Sequence, residues 1–465
     1  MRKFNVLFLL LPTLLTAQWL DTTITIGTGP VGFVYNSTNN TVYCANWYDN
    51  NIRVIDGATN AIVTRIPVGN GPWVLAYNST NDKVYCVNWS SNNISIINSA
   101  TNRVITTITA GSVPTAILYN PDNNKIYVAN WGSNDVTVIN GVTNRVVATI
   151  PAGDGADNLA YNPVNNKIYC SNEYSNDVTI INPITNSVIT TVPAGNSPWN
   201  VIYNPINNTI YCANMGSQSI TVIDGITNAV VKIIPVGCVG VGPHTLTCNM
   251  TNNKIYCANA GPFPDYADST VTIIDGVTNN VITKIVVGKG PRAIIYNPTN
   301  NKIYTANTGT NDVSVIDGVT NQKIKTIATD TYPRELAYNS QNNRIYVANY
   351  YGHSVSIIRD ITTHTDFEEH SLLNTERNEI EIYPNPAKAY FTIRLPQSAC
   401  RRQSSFGTSA TDRSLIKIFD VSGKVVKEVR SKMQDTRISL EGIKNGVYFV
   451  QLNNESATKK LVITK

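Results

Sequence analysis

Five tryptophans and a few charged residues are the candidates for chemistry, because each stands at a place that changes between otherwise similar segments. Trp73 and Trp199 each follow a proline in a connection that reads as a loop, and the matching loop places hold Val31, Thr115, Asp157, His244, Arg292 and Arg334. Trp47, Trp89 and Trp131 each follow an asparagine, and the matching places in other segments include Glu173, Met215 and Tyr350. Exposed aromatic rings stack on sugars or nucleobases, and arginine adds charge or a further stacking plane. The candidate ligand-binding residues are therefore Trp73, Trp199, Trp47, Trp89, Trp131, His244, Arg292, Arg334 and Asp157. Two competing readings stand beside this one. Trp47, Trp89 and Trp131 recur in three successive segments, which also suits a cap over a core, and Arg292 and Arg334 also suit a solvated surface.

Catalytic patterns are absent from the chain. It has no G-x-S-x-G, no HExxH, no P-loop and no glycine-rich strand–helix word. His244 and Asp157 form the one conceivable acid–base pair. The four histidines are scattered, no Cys/His spacing suits zinc, and Asp265 and Asp268 in GPFPDYADST have the wrong spacing for a calcium loop. The sequence thus assigns no catalytic residue, no metal and no cofactor. An enzyme is the lesser alternative to a binding protein.

The elements that position these residues come from a repeat. A tyrosine in an I/V-Y-x-x-N word recurs at Tyr43, Tyr85, Tyr127, Tyr169, Tyr211, Tyr256, Tyr304 and Tyr346. The spacing is 42 residues except at the two steps flanking Tyr256, which are 45 and 48. A second word, YN, lies upstream, with Cys248 replacing its tyrosine in the sixth copy. Within each copy apolar and polar residues alternate with period two, and Asn, Gly, Pro and Asp separate four short runs. Four short antiparallel strands every ~42 residues describe a propeller blade. The expected fold is all-β, an eight-bladed propeller over residues 18–360, with seven blades as the alternative. The last copy lacks a fourth strand, and DTTITIGTGP (21–30) matches a fourth strand with its exit, so the first strand should close the last blade. The repeated Tyr should pack between sheets, and the Asn closing each word should satisfy backbone groups at strand ends.

The word IYVAN followed by NDVTVIN and TN (126–144) resembles the YVTN-type β-propeller repeat family, over roughly residues 21–360. Some relatives of that type resemble nucleic-acid binders.

Composition changes after residue 360. Charged residues number 28 among the last 105 and 39 among the first 360. Residues 361–378 read as a linker. The alternating runs that follow predict a small β-sandwich over 379–465. The words YPNPA, IFDVSGK, NGVYFVQL and KLVITK resemble the type A C-terminal sorting domain of type IX secretion, interrupted by the polar insertion 397–413. That resemblance implies type IX machinery as a partner and passage across the outer membrane. Arg2, Lys3, the apolar run from Phe4 to Leu15 and the small-residue end at Ala17 read as an export signal over 1–17. No other run is long enough to span a membrane, so no transmembrane segment is expected after cleavage.

The eight cysteines suggest disulfides by default in an exported chain. Cys44, Cys86, Cys170, Cys212 and Cys257 share one repeat position, however, where other copies hold Val128, Thr305 and Val347. A small buried slot fits that exchange, so buried thiols are expected there. A Cys238–Cys248 disulfide stays open, and Cys400 lies in the polar insertion. With a net charge of +5 and 14 % charged residues, the chain is not built for non-specific nucleic-acid or membrane binding. The expected function is a secreted or surface-displayed propeller recognising a glycan or other extracellular ligand. A surface-layer component, a single-stranded DNA binder and a lactonase- or lyase-like enzyme are the alternatives.

Overall fold

Strands form wherever the period-two alternation runs, because one face of each run is buried and the other meets a neighbour or solvent. The computed structural model describes residues 17–237, 240, 242–261, 264–361, 381–383, 390–394, 414–420, 424–431, 435–452 and 458–463, and β-strand is the regular element found among them. The export signal up to residue 16, the linker from 362, the insertion 397–413, Cys238 and Cys400 lie outside the described residues. Residues up to Thr362 form one compact unit and Thr363–Lys465 a second.

Blade 1 shows the pattern. Its strands Pro30–Asn36, Thr41–Asn46, Asn51–Asp56 and Ile62–Pro67 pair antiparallel in chain order. Blades 2 to 7 repeat it, with first strands Pro72–Asn78, Pro114–Asn120, Ala156–Asn162, Pro198–Asn204, Pro243–Asn249 and Pro291–Asn297. Blade 8 takes three strands from the end of the unit, Pro333–Asn339, Arg344–Asn349 and Ser354–Ile361, and its fourth from the start, Ala17–Thr25. The result is an all-β, eight-bladed propeller. The closing strand begins at Ala17, earlier than the repeat word suggested. Its register runs from Ala17 opposite Ile361 to Thr25 opposite Ser354, and Gln18 Nε2 donates to the buried Asp360 Oδ1 at 2.8 Å.

The asparagines of the turns have a backbone role. Asn40, Asn50 and Asn60 in blade 1 adopt φ of 53°, 51° and 62°, and their equivalents recur around the ring. Asparagine tolerates this left-handed conformation better than most residues, so it can end tight hairpins. The second-strand tyrosines are fully buried between sheets. Six of their hydroxyls, those of Tyr43, Tyr127, Tyr169, Tyr211, Tyr256 and Tyr346, reach the outer hairpin of the following blade, as where Tyr43 donates to Asn102 Oδ1 at 2.7 Å and Tyr346 to Asn60 Oδ1 at 3.1 Å. Burial pushes the Tyr43 phenol up to about 12.

The asparagine closing each second strand does something other than expected. It serves mainly side chains of the third strand rather than backbone groups. Asn88 Nδ2 donates to Asn93 Oδ1 and Ser95 Oγ at 2.8 and 2.9 Å, and Asn130 Nδ2 to Asp135 Oδ1 and Thr137 Oγ1 at 2.6 and 2.8 Å. The antiparallel hairpin places Asn93 and Asp135 directly opposite, with Ser95 and Thr137 two residues further along the same strand. Asn46 is the copy that also reaches a backbone oxygen, Ile26 O at 3.3 Å.

A second asparagine, at the end of each first strand, joins the blades. Its Nδ2 donates to the left-handed residue of the next blade's first hairpin in all eight steps, at 2.7 to 3.4 Å. The circle ends with Asn339 donating to Asn40 Oδ1 at 2.8 Å. Its own oxygen accepts from Gln341 N at 3.0 Å.

Cys44, Cys86, Cys170, Cys212 and Cys257 are buried in second strands, and burial drives the first four thiols well above their usual range. The second unit consists of two antiparallel sheets. One holds Glu381–Tyr383, Tyr390–Arg394 and Asp435–Ser439, and the other Val425–Ser431, Ser414–Asp420, Gly446–Leu452 and Thr458–Ile463. Ile416, Ile418, Val450 and Leu461 are buried on the four-stranded sheet and Ile438 on the three-stranded one.

Removing the buried amide that closes the ring should cost both its bond to Asn40 Oδ1 in the next blade and its bond from the Gln341 N–H. Asn339→Ala is expected to lower unfolding stability by about 2 kcal/mol, read as a shifted denaturant midpoint. An unchanged midpoint would contradict the seam's role.

Candidate functional site

In every blade the pairing between first and second strand loses register just after the opening residue. Pro114 faces Asn130, for example, and the next pair is Ala116 with Ala129, which leaves Thr115 unpaired. The same shift frees Val31, Asp157, Trp199, His244, Arg292 and Arg334, and in blade 2 it frees both Trp73 and Val74. A bulge of this kind bends the strand and re-aims the extra side chain. Proline suits the position before it, since the start of a strand tolerates a missing N–H. These residues are therefore bulges of the inner strands, not loop residues. All eight, one from each blade, line a single cavity of about 630 Å³.

A second tier comes from the residue after the second strand. Trp47, Trp89, Trp131, Glu173 and Tyr350 line the same cavity. Each is fixed by its backbone N–H donating to the residue that precedes the opening Pro or Ala, as in Trp47 N to Gly29 O at 2.8 Å and Trp131 N to Val113 O at 2.9 Å. Those preceding residues are left-handed, with Gly29 at φ 70° and Val113 at φ 52°. A β-branched residue there is strained. Val113 is held by that bond and by its own N–H donating to Asn92 Oδ1 at 2.8 Å.

All nine residues singled out from the sequence thus meet in one place. Trp47 stacks on Trp73 and Trp89 with ring centroids 5.2 and 5.4 Å apart. Trp47 and Trp73 also pack against the core between blades 1 and 2, so capping and lining coincide in the same rings. Trp199 stacks on His244 at 5.8 Å, and Trp131 on the exposed Tyr174 at 5.2 Å. Arg334 lies over two rings, its Cζ 4.4 Å from the Trp73 centroid and 5.2 Å from that of Tyr350. It is not a solvated surface residue. Trp131 Nε1 donates to Glu173 Oε2 at 2.8 Å.

The proposed partnership of His244 with Asp157 does not form. His244 Nδ1 meets its neighbour Thr245 Oγ1 at 2.9 Å, and the two residues stand two blades apart. Burial, then Arg292 and Arg334, push the imidazole down to about 3, so it is neutral at ordinary pH. Burial, then the charge on Glu173, push the Asp157 carboxyl up to about 8. Burial raises Glu335 to about 7, and burial with Arg292 lowers Arg334 to about 10.

Glu335, Asn158, Asn200 and Thr245 also line the cavity and escaped the sequence reading. They occupy the place after the bulge, where other blades carry Gly32, Val74, Ala116 and Ala293. That variation between copies was the available signal, as it was for Glu173 and Tyr174.

Asp157 makes stability depend on pH. Its carboxyl ionises near 3.8 when exposed and near 8 when folded, so the folded chain holds the extra proton between those values. Stability from this group therefore falls as pH rises from about 4 to 8. Asp157→Asn should gain unfolding temperature relative to the parent at pH 8.5 and gain less at pH 5. A difference that does not grow with pH would refute the shift.

Comparison with known proteins agrees with both units. Residues 381–464 match the family model of the secretion system C-terminal sorting domain. β-Agarase A of Zobellia galactanivorans is 37 % identical over 82 residues, covering 18 % of this chain and 13 % of that protein. Hydrazine synthase of Kuenenia stuttgartiensis superposes with a TM-score of 0.53 at 16 % identity, over 72 % of this chain and 97 % of that one. Dihydro-heme d1 dehydrogenase NirN, in complex with DHE, superposes with a TM-score of 0.55 at 14 % identity, over 65 % and 66 %. The two structural likenesses concern the fold alone. The chain is an eight-bladed β-propeller followed by a type IX C-terminal sorting domain, which marks it for export to the cell surface or beyond.

Proposed function

We propose that the propeller is an extracellular binding module that takes a glycan at its channel mouth. Trp73, Trp199, Trp47, Trp89 and Trp131 supply stacking surfaces, and His244, Arg292, Arg334 and Asp157 supply polar partners. One observation carries this reading: five of the chain's six tryptophans line one cavity of about 630 Å³. They do so from positions that other blades fill differently. A sugar offers an apolar face to a ring and hydroxyls to carboxylates and amides, and the mouth holds both kinds of group. A single-stranded nucleic acid would use the same rings. Its phosphates need clustered Lys and Arg, whereas only two arginines line this cavity and Glu173 shares it.

In the same reading the propeller is of the YVTN type that its repeat words resemble, and the signal over 1–17 carries the chain into the periplasm. The sorting domain then delivers it outward, where it is released or attached to the surface.

Two outcomes are expected. In glycan-array binding, Trp73→Ala combined with Trp199→Ala should weaken binding roughly tenfold or more, with an unchanged far-ultraviolet circular dichroism spectrum. Equal affinity would remove this site. Deleting 381–464 should leave the chain inside the producing cell, and export of the truncated chain would deny the tail its role.

A further inference from the structure

We infer that Arg292 and Arg334, on adjoining inner strands, form an oxyanion subsite facing the tryptophan wall, so that the glycan taken at the mouth is an acidic one. This inference rests on the glycan reading above and adds the chemical class of the ligand.

Both guanidiniums are re-aimed by bulges into one cavity, from blades 7 and 8. Neither forms an ion pair with a carboxylate among the described residues. Glu335, next in the chain to Arg334, accepts instead from the Leu336 N–H at 3.1 Å. Half-buried cations are ordinarily paired, because desolvation penalises a bare charge and two like charges repel. Arg292 has the Tyr266 hydroxyl as a side-chain partner and Arg334 has two rings, but neither contact neutralises a charge, so two guanidiniums on one wall are a costly arrangement that a bound anion would relieve. The face of Arg334 is occupied by Trp73 and Tyr350, which fixes its plane and leaves its N–H edge for a ligand. The positive field of the pair also helps hold His244 neutral, after burial.

The opposite wall sets the spacing of charge. Asp157 and Glu173 belong to blade 4, four blades from Arg334 in a ring of eight. A polymer charged at every unit would press an anion against Glu173. A glycan whose acid groups are separated by neutral, hydroxyl-rich units would set the acid at the arginines and hydroxyls at the carboxylates. This favours an acidic polysaccharide over a nucleic acid. Carboxylate and sulfate ester share the required chemistry.

The test measures binding of the full chain to a panel of polysaccharides. Uronate polymers are offered beside their carboxyl-reduced counterparts, sulfated polymers beside their desulfated counterparts, with oligodeoxythymidylate in parallel. At least one acidic polymer should bind about tenfold more tightly than its neutral counterpart, and whether uronate or sulfate does so names the oxyanion. Arg292→Gln should abolish that preference, and an unchanged far-ultraviolet circular dichroism spectrum should report that the variant is folded. A neutral counterpart that binds as well as its acidic parent overturns the oxyanion subsite and leaves the glycan reading standing. Silence from every polysaccharide overturns both. Tighter binding of the oligonucleotide than of any polysaccharide overturns both in favour of a nucleic-acid ligand.

Discussion

One side-chain amide holds the ring together. The asparagine ending each inner strand donates to the next blade's first hairpin, and its own oxygen caps its own turn, as with Asn36 and the Thr38 N–H at 2.9 Å. The bond therefore requires two things at once, a hairpin of one shape and a neighbour at one distance. Repeated eight times it fixes the offset between sheets, and with that offset the width of the channel. In six of the blades the buried tyrosine of the second strand adds a tie at the outer end. Dispersion between apolar strands would hold the sheets at similar spacing but would not specify it residue by residue.

Within that ring the mouth concentrates polar and charged groups in poorly hydrated surroundings. Desolvation is the leading cause of the shifts at Asp157, Glu335, His244 and Arg334. The walls differ in kind: guanidiniums on blades 7 and 8, carboxylates on blade 4, indoles concentrated on blades 1 to 3. Blade 1 contributes Val31 and Gly32 between Arg334 and Trp73. A Cβ on Gly32 would come within 2.2 Å of the Trp73 carbonyl oxygen, so glycine here lets the second blade's inner strand approach closely.

Much of this was legible in the sequence because a repeat makes its own comparison. Eight copies of the I/V-Y-x-x-N word gave the blade count, and the missing last strand gave the closure. Residues that failed to recur, such as Trp73 and Arg292, pointed to the mouth. What was hidden depends on pairing rather than on residue type. A register shift leaves no mark in composition, so the residues after the proline read as loop. Arg334 and Trp73 lie far apart in the chain, and their stacking follows only once the ring has closed. The repeated asparagines were legible as structural, but which of the two asparagines joins blades and which serves its own sheet is a matter of hairpin geometry. His244 and Asp157 suggested a pair by chemistry alone, and their blades keep them apart.

The bulges carry a consequence for how such a mouth diversifies. A residue squeezed out of the ladder has no partner across the strand, so its replacement leaves the sheet's hydrogen bonds untouched. Within this one chain the position already holds valine, tryptophan, threonine, aspartate, histidine and arginine on nearly identical backbones. Eight such positions act as letters around a fixed frame, some of them read together with a neighbour, as Trp199 is with His244. Duplicated blades can thus drift apart in what they recognise while remaining interchangeable in how they fold, and a new specificity can be spelled out one blade at a time.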